Sequence, residues 1–274
     1  MTIPLEDNAG DVISKAQRGL GISDSELAER SGVSPQAVRQ ARSGEAEATA
    51  LEKIAPVLQL DPRALTDLAN AAYKPDVREI DGLAMFNTRY GDMTVNAYLV
   101  WDPQSHAAVA FDTGADCGEM LETMEREHLQ VQLILLTHSH PDHIEDLQRL
   151  QKATGAPVYI SGHESASGAE PIEEGREFSA GALHIRSLLT WGHSRGGMTF
   201  FVTGLTTPIA VVGDAIFAGS MGGGNVSYSD AVQTNAEKIL TLPDETIICP
   251  GHGPLTTVGN EKAHNPFFAL SFRA

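Results

Sequence analysis

The most constraining feature of this sequence is the heptapeptide Thr-His-Ser-His-Pro-Asp-His at residues 137–143, which concentrates four side chains of metal-ligand type. Two of them, His138 and His140, lie in a predicted loop after an apolar run. Asp142 and His143 begin the helix-like stretch that follows. Adjacent residues of a helix point in different directions, so these four side chains cannot easily close around one tetrahedral ion. The segment therefore predicts two metal ions and a fold that brings them further ligands from elsewhere in the chain.

Three further ligand candidates stand alone later in the chain, at His193, Asp214 and His252. A glycine precedes each of them, which lets the backbone approach a crowded centre or adopt a positive φ. His138, Asp214 and His252 each follow, immediately or nearly so, on an apolar run of strand length. Ligands at the ends of several strands can converge on one rim. Imidazole and carboxylate ligands together suit zinc, or iron and manganese in related sites.

From about residue 83 onward, short apolar runs alternate with Gly, Asp and Asn, and this pattern predicts strands. The runs cover residues 95–101, 107–111, 131–136, 199–202, 209–212 and 247–249. Helix-like spacing of apolar residues occurs over 118–128 and 144–153. Strands and helices mixed in this way predict layered α/β packing. Asp112, which directly follows the second run, is a candidate supporting carboxylate.

The first 72 residues have a different pattern. Ser23 and Glu26 have the spacing of a capping box, so a helix is expected to start there. Gly32 interrupts it, and Ser34 followed by Pro35 predicts a second helix that runs to about residue 42. Two short helices in this arrangement, followed by apolar residues at helical spacing, resemble a helix-turn-helix module of the phage-repressor type over roughly residues 12–66.

That resemblance implies that the second helix lies in the major groove of DNA. The side chains it would present to DNA are Ser34, Gln36, Arg39 and Gln40. The charge balance points the other way, because residues 1–72 hold seven Lys/Arg and eleven Asp/Glu, whereas a phosphate-tracking surface normally carries a basic excess. The alternative is a small helical bundle used for dimerisation or for docking on another protein. A phage-repressor-like head works as a dimer on a two-fold site, so a homodimer is expected.

The metal-ligand motifs, read in order, resemble the metallo-β-lactamase superfamily and, within it, the glyoxalase II-like hydrolases over roughly residues 83–268. The order is Phe-Asp-Thr-Gly at 111–114, the heptapeptide, and then the Gly-His, Gly-Asp and Gly-His-Gly stretches. The resemblance implies an αββα sandwich of two sheets between helices. It also implies that a first metal is held by His138, His140 and His193, that a second is held by Asp142, His143 and His252, that Asp214 bridges them, and that Asp112 orients the heptapeptide loop.

The expected organisation is therefore a small all-α helix-turn-helix domain (1–72, the head), a linker (73–82) and an α/β metallo-β-lactamase-like domain (83–274). The acidic N-terminus lacks a secretory pattern, and the apolar runs are of strand length, so cytoplasmic location without membrane association is expected. The two cysteines, Cys117 and Cys249, lie far apart in sequence, which fits a reducing compartment. A net charge of −17 argues against a long polyanionic substrate for the molecule as a whole.

The expected chemistry is hydrolysis of a small molecule by a hydroxide that bridges two divalent ions. Zn²⁺ is the expected ion, with Fe or Mn as alternatives. Two cations lower the pKa of water from 15.7 toward about 7 and polarise a substrate oxygen. A thiolate, whose conjugate acid has a pKa near 8.5, departs without a proton. Thioester hydrolysis therefore demands least of this site. Asp142 and Asp214 are the predicted catalytic residues, and Asp142 is also a candidate acid for a lactone, amide or phosphoester.

Two other activities compete with this hypothesis. His138, His193 and Asp214 could form the two-histidine, one-carboxylate set of a mononuclear iron oxygenase, here a persulfide dioxygenase. The helix-turn-helix resemblance suggests a transcriptional regulator in which the metal domain senses a metabolite. The chain ends soon after His252, without the helical extension that helps glyoxalase II bind glutathione. A glycine-rich segment, residues 219–224, is expected to form a wall beside the substrate, with Arg195 as the nearest cation for an anionic one.

Overall fold

The computed structural model describes residues 3–75, 77 and 79–272. Within the predicted linker, Asp76 and Arg78 lie outside the described residues, as do the two residues at each end of the chain. The described part consists of an N-terminal set of short helices followed by two sheets with flanking helices. None of the helices formed by these described residues is long and apolar enough to span a bilayer.

The short helices of the head begin where the capping signals predict them. The Ser23 hydroxyl accepts from the Glu26 N–H at 3.3 Å, and the Glu26 carboxylate accepts from the Ser23 N–H at 2.8 Å. Gly32 ends this helix with a φ of 64°, and Ser34 caps the next one. The predicted pair of helices is thus present. The helices of this region are α1 (Ala9–Gly19), α2 (Asp24–Ser31), α3 (Pro35–Arg42), α4 (Ala48–Val57) and α5 (Pro62–Ala69).

Helix α1 had no assignment in the sequence analysis, although a local signal marks its start. The Asn8 side chain accepts from the N–H groups of Gly10 and Asp11, at 2.7 and 3.2 Å, while the Asp11 carboxylate accepts from the Asn8 N–H at 3.0 Å. This reciprocal pair is a capping box. The helix buries Val12 and Ile13 against the rest of the molecule.

The second part of the chain folds into two six-stranded sheets. The first has the order β1 to β6, with β1 (Leu83–Tyr90), β2 (Met93–Trp101), β3 (Ala107–Phe111), β4 (Gln130–Leu135), β5 (Val158–Ser161) and β6 (Ala169–Ile172). The second runs from β12 back to β7, with β7 (Glu177–Ala180), β8 (Leu183–Leu189), β9 (Met198–Thr203), β10 (Ile209–Gly213), β11 (Ile247–Pro250) and β12 (Thr256–Thr257). Strands β3, β4 and β5 are parallel, and so are β10 and β11.

The two sheets pack face to face over an apolar layer in which the rings of Phe111 and Phe200 lie 5.6 Å apart. Helices cover the outer face of the first sheet, where Met120 and Leu150 are buried against it. The helices of this part are α6 (Gly118–Arg126), α7 (Pro141–Ile144), α8 (Leu147–Thr154), α9 (Tyr228–Thr234), which continues into a π-helical turn (Asn235–Ile239), α10 (Val258–His264) and α11 (Ala269–Phe272). The predicted α/β sandwich with flanking helices is confirmed.

The head packs on the outer face of the second sheet. Ile13 of α1 and Leu65 of α5 belong to the same apolar cluster as Val212, Ile216 and Phe268 of the second part. The Asp61 N–H also donates to the Pro266 carbonyl at 2.7 Å. The helices of the head and the second sheet therefore share one continuous core. This core fixes where α1 lies relative to the rim of the sandwich.

Candidate metal centre

The candidate ligands gather at one rim of the sandwich because they follow the carboxyl ends of neighbouring strands. His138 comes shortly after β4, Asp214 directly after β10, and His252 shortly after β11. The carboxyl ends of parallel strands meet at the same edge of a sheet, and ligands commonly bind there. This is the convergence that the sequence analysis expected.

The structure brings all seven predicted ligands into two adjoining groups. The first consists of His138, His140, His193 and Asp214, and the second of Asp142, His143 and His252. Within each group the ligand atoms lie within 4.8 Å of one another. In the first group, the Nε2 atoms of His138 and His193 lie 2.9 and 3.1 Å from Nδ1 of His140. Three imidazole nitrogens that face one another in this way are arranged around a common point.

The Asp214 carboxylate lies between the two groups. Its Oδ2 is 3.3 Å from Nε2 of His193 and 3.5 Å from Nε2 of His252. Its Oδ1 is 3.3 Å from Nε2 of His143. One carboxylate thus faces ligands of both groups, as the predicted bridging role requires. The site is capable of holding two metal ions.

Two buried atoms of the site have no hydrogen-bond partner among the described residues: Nε2 of His143 and Oδ1 of Asp214. A buried polar atom without a partner costs about 1–3 kcal/mol, so native structures rarely leave one unpaired. The two atoms lie 3.3 Å from each other, where the two groups adjoin. A cation there would satisfy both, and the donor set of imidazole and carboxylate suits zinc or iron.

The ligand rings are oriented by partners on their other nitrogen. Nδ1 of His193 donates to the Gly223 carbonyl at 2.9 Å, and Nδ1 of His252 donates to the Thr94 carbonyl at 2.6 Å. Nδ1 of His143 donates to the Asp112 carboxylate at 2.9 Å. Each of these bonds leaves Nε2 as the atom that faces the site, the arrangement common to histidines that ligate metals.

Asp112 occupies the position expected of a supporting carboxylate. Besides His143, it accepts from the Thr137 N–H and from the Thr137 hydroxyl, both at 2.7 Å. It is 2% exposed and has a φ of 55°, an uncommon conformation that Asp tolerates better than most residues. It therefore ties the start of the heptapeptide to one ligand of the second group.

The charges of the site act strongly on one another. Burial alone would lower the pKa of His143 and His252, but the charge of Asp214, together with the bonds of His143 to Asp112 and of His252 to Asp142 and the Thr94 carbonyl, raises these values to about 10 and about 11. Burial alone would raise the pKa of Asp214, but His143 and His252 hold it well below its usual range. Burial lowers the pKa of His138. The first group thus contains a neutral imidazole ready to ligate, next to a carboxylate that stays ionised.

One residue of the site had no counterpart in the sequence analysis. Glu164 accepts from the Ser139 hydroxyl and, at 2.9 Å, from the Gly196 N–H, so it joins the heptapeptide loop to the loop that carries His193. Its sequence neighbourhood contains no motif. The signal that could have revealed it is its place just after β5, which is parallel to β4 and ends at the same rim.

The remaining predicted residues lie outside both groups. Arg195 is exposed on the loop after His193. The proposed DNA-contacting side chains are also exposed and belong to the start and the solvent-facing side of α3, at Ser34, Gln36, Arg39 and Gln40. Met221 and Gly222 of the glycine-rich segment are buried rather than exposed to solvent.

Comparison with known proteins agrees with this geometry. A family model described as the Metallo-beta-lactamase superfamily matches residues 90–252. A probable metallo-hydrolase of Bacillus subtilis, YqgX, is 33% identical over 204 residues, which cover 65% of this chain and 93% of that protein. A Haemophilus influenzae protein named hydroxyacylglutathione hydrolase GloC is 29% identical over 197 residues, or 63% of this chain and 92% of that protein.

Among solved structures, TTHA1623 in a di-iron-bound form is similar, with a TM-score of 0.55 and 28% identity, and the match covers 67% of this chain and all of that one (100%). About a third of the present chain has no counterpart in these relatives, since they match over nearly their whole length. The matched residues include every one of the seven candidate ligands. The chain therefore belongs to the metallo-beta-lactamase superfamily.

Proposed function

We propose that this protein is a dinuclear metal-dependent hydrolase that cleaves thioesters of the hydroxyacylglutathione type. The observation that carries the proposal is the Asp214 carboxylate, which faces ligand atoms of both groups at 3.3–3.5 Å. The named activity of the Haemophilus influenzae relative supports this substrate class. Two divalent ions, for which we propose zinc, would supply an activated water nucleophile and polarise the scissile carbonyl.

The chain's own residues have three tasks in this reaction. Asp214, ionised at neutral pH, would hold the two metal positions at a fixed separation. Asp142 lies at the opening of the site, with its side chain 13% exposed and its Oδ2 3.4 Å from Nε2 of His252, so it is placed to hold a proton of the attacking water. The rigid rings of His138 and His193 leave the remaining side of the first group for substrate. A thiolate leaves without protonation, so these residues suffice for a thioester.

The proposal is tested by metal analysis of the purified protein together with a panel of thioesters, lactones and a persulfide. We expect two metal equivalents per chain and turnover of a thioester. Asp214→Ala should lose most of that turnover and at least one metal equivalent. The control Asp92→Asn, at an exposed position, should retain the turnover and both metal equivalents. Turnover that survives chelation, or survives Asp214→Ala, would contradict the proposal.

The same panel tests the mononuclear alternative. A persulfide dioxygenase that uses His138, His193 and Asp214 would contain one equivalent of iron and consume oxygen in the presence of persulfide. The second group of ligands, adjoining the first, favours the dinuclear assignment. One equivalent of iron with stoichiometric oxygen uptake would contradict the dinuclear assignment and support the mononuclear one.

A second candidate function is DNA binding through α3 by a homodimer. It is supported by the exposure of the four side chains that the helix-turn-helix resemblance selects, Ser34, Gln36, Arg39 and Gln40. We expect the intact protein to retain fragments from its own promoter region at low salt, and Arg39→Ala to weaken this retention more than Lys53→Ala on α4. Light scattering would report the dimer. Failure to bind any fragment at low salt would exclude this function.

A further inference from the structure

The glycine wall, residues Gly219–Gly224, is in direct contact with the metal centre. The Gly223 carbonyl accepts from Nδ1 of His193 at 2.9 Å. Gly222 is packed so closely that an added Cβ would lie 1.9 Å from the Asp214 carbonyl oxygen and 3.0 Å from Nδ1 of His193. The backbone of the wall therefore sets the orientation of the His193 ring, and a displacement of the wall would move a metal ligand.

The first two residues of the wall are held by α10 and the residue that follows it. The Gly219 N–H donates to the buried Glu261 carboxylate at 3.0 Å. The Asn265 side chain donates to the Ser220 carbonyl at 2.8 Å. Both anchors act on the first two residues of the wall. The carbonyl of Met221, the residue after them, has its partner in the head.

The other side of the wall is anchored by two charged residues of the head. Asp7 accepts from the Ser220 hydroxyl at 2.6 Å, and Lys15 of α1 donates to the Met221 carbonyl at 2.8 Å. Asp7 and Lys15 also form an ion pair, with side chains only 9% and 15% exposed. Hydrogen bonds to charged groups that are shielded from water contribute more to stability than an ion pair on the surface.

The same lysine reaches the second ligand group through an aromatic ring. The Lys15 ammonium lies 5.1 Å from the centre of the Phe217 ring, within the range of a cation–π contact. The Phe217 ring packs edge-on against the His252 ring, with 5.6 Å between their centres. This contact is apolar and involves no hydrogen bond to His252, so it constrains the second group less than the glycine wall constrains His193.

We propose that Asp7 and Lys15 are positioning residues of the metal centre, which hold the glycine wall and thereby fix the ring of His193. The head is then a structural part of the active site. The inference rests on the proposed metal function of His193. It concerns residues that lie outside the segment matched by the family model, residues 90–252.

The test uses the full chain with Asp7→Asn and Lys15→Met combined, so that neither charge is left buried alone. Arg18→Met, which removes an exposed cation from the same helix, is the control. Cobalt titration followed by visible spectroscopy measures the affinity of each site, and His193→Ala and His252→Ala identify which spectrum belongs to which group. Ser220→Ala is a milder variant that removes only the hydroxyl bond to Asp7.

We expect the combined variant to weaken cobalt binding at the first group about tenfold, the lower end of the effect of losing an outer partner of a ligand, because Asp7 and Lys15 act on His193 only through the wall. The second group should change by less than about threefold, and Ser220→Ala should show a smaller loss at the first group only. In a His193→Ala background the combined variant should cause no further loss, because the two changes act through one ligand.

Cobalt affinities equal to those of the wild type, or equal losses at both groups, would overturn the positioning role. An additive loss in the His193→Ala background would overturn it as well. A wild-type protein that binds no cobalt would instead refute the proposed metal function, so the two failures are distinguishable.

Discussion

Replacing Asp112 by asparagine should impair the second metal position without emptying the first. The carboxylate accepts three hydrogen bonds, from the Thr137 N–H, the Thr137 hydroxyl and Nδ1 of His143, at 2.7, 2.7 and 2.9 Å. An amide of the same shape retains one accepting oxygen. That oxygen must face the Thr137 N–H, because a backbone N–H cannot accept, so the NH₂ group would face the Thr137 hydroxyl and Nδ1 of His143. The hydroxyl can rotate to accept from the amide, but Nδ1 of His143 cannot accept while it carries its proton.

The conflict can be relieved only at the expense of the ligand. If His143 moves its proton from Nδ1 to Nε2, Nδ1 can accept from the new amide, but Nε2 can no longer bind a metal. Loss of such an outer partner typically weakens metal affinity 10–100-fold, or about 1.4–2.7 kcal/mol. The metal-free protein should also lose about 3–6 kcal/mol of unfolding free energy, because two hydrogen bonds to a buried carboxylate are removed.

The assay is a calorimetric titration of Asp112→Asn with zinc and with cobalt, beside denaturant unfolding of the metal-free protein. Asp92→Asn, an exposed substitution of the same kind, serves as the control and should match the wild type. We expect one tight and one weakened metal equivalent. Two equivalents bound with affinities within about threefold of the wild type would refute the tautomer argument.

Four further predictions concern the metal centre and the buried Cys117. Gly222→Ala should reduce turnover at least about tenfold, because the added Cβ would lie 1.9 Å from the Asp214 carbonyl oxygen; steady-state kinetics with unchanged activity would contradict the packing described. The metal-free protein carries protons on His143 and His252 at pH 8, since their pKa values are raised to about 10 and about 11, so zinc binding should release about two protons and tighten as the pH rises. Because these pKa values exceed the unfolded value of about 6.5, the unfolding free energy of the metal-free protein should fall as the pH rises from there through 10. Calorimetry in buffers of different ionisation enthalpy and denaturant unfolding at several pH values measure both effects. Burial raises the pKa of Cys117 to about 12, so thiol reagents at pH 8 should modify it only as fast as the protein unfolds.

The candidate metal ligands could be predicted from the sequence because their signals are local. A histidine or aspartate beside a glycine, directly after a strand-like run, needs no knowledge of distant contacts to be recognised. Asp214 and His252 satisfy that description, His138 follows a strand-like run at the start of the heptapeptide, and all three meet at one rim. The division into two groups separates the loop residues His138 and His140 from Asp142 and His143 of the helix that follows, and these two helix neighbours belong to one group.

Other parts of the site could not be predicted because they depend on tertiary contacts. Glu164 has no motif around it and acquires its role only when β5 is placed beside β4. The docking of the head was equally inaccessible, because the apolar face of a helix looks the same whether it covers its own bundle or a neighbouring sheet. Asp7 and Lys15 look like ordinary surface charges in the sequence, and only the fold buries them together.

The core shared by the head and the second sheet bears on how such a chain can be recombined. Ile216 and Phe268 share an apolar cluster with Ile13 and Leu65 of the head. A fragment without the head would therefore expose a broad apolar surface to water. Joining the helical segment to a homologous enzyme would fail for the matching reason, unless the sheet of that enzyme had the apolar surface on which the segment packs. The head and the two-sheet part are therefore one folding unit and cannot be exchanged separately.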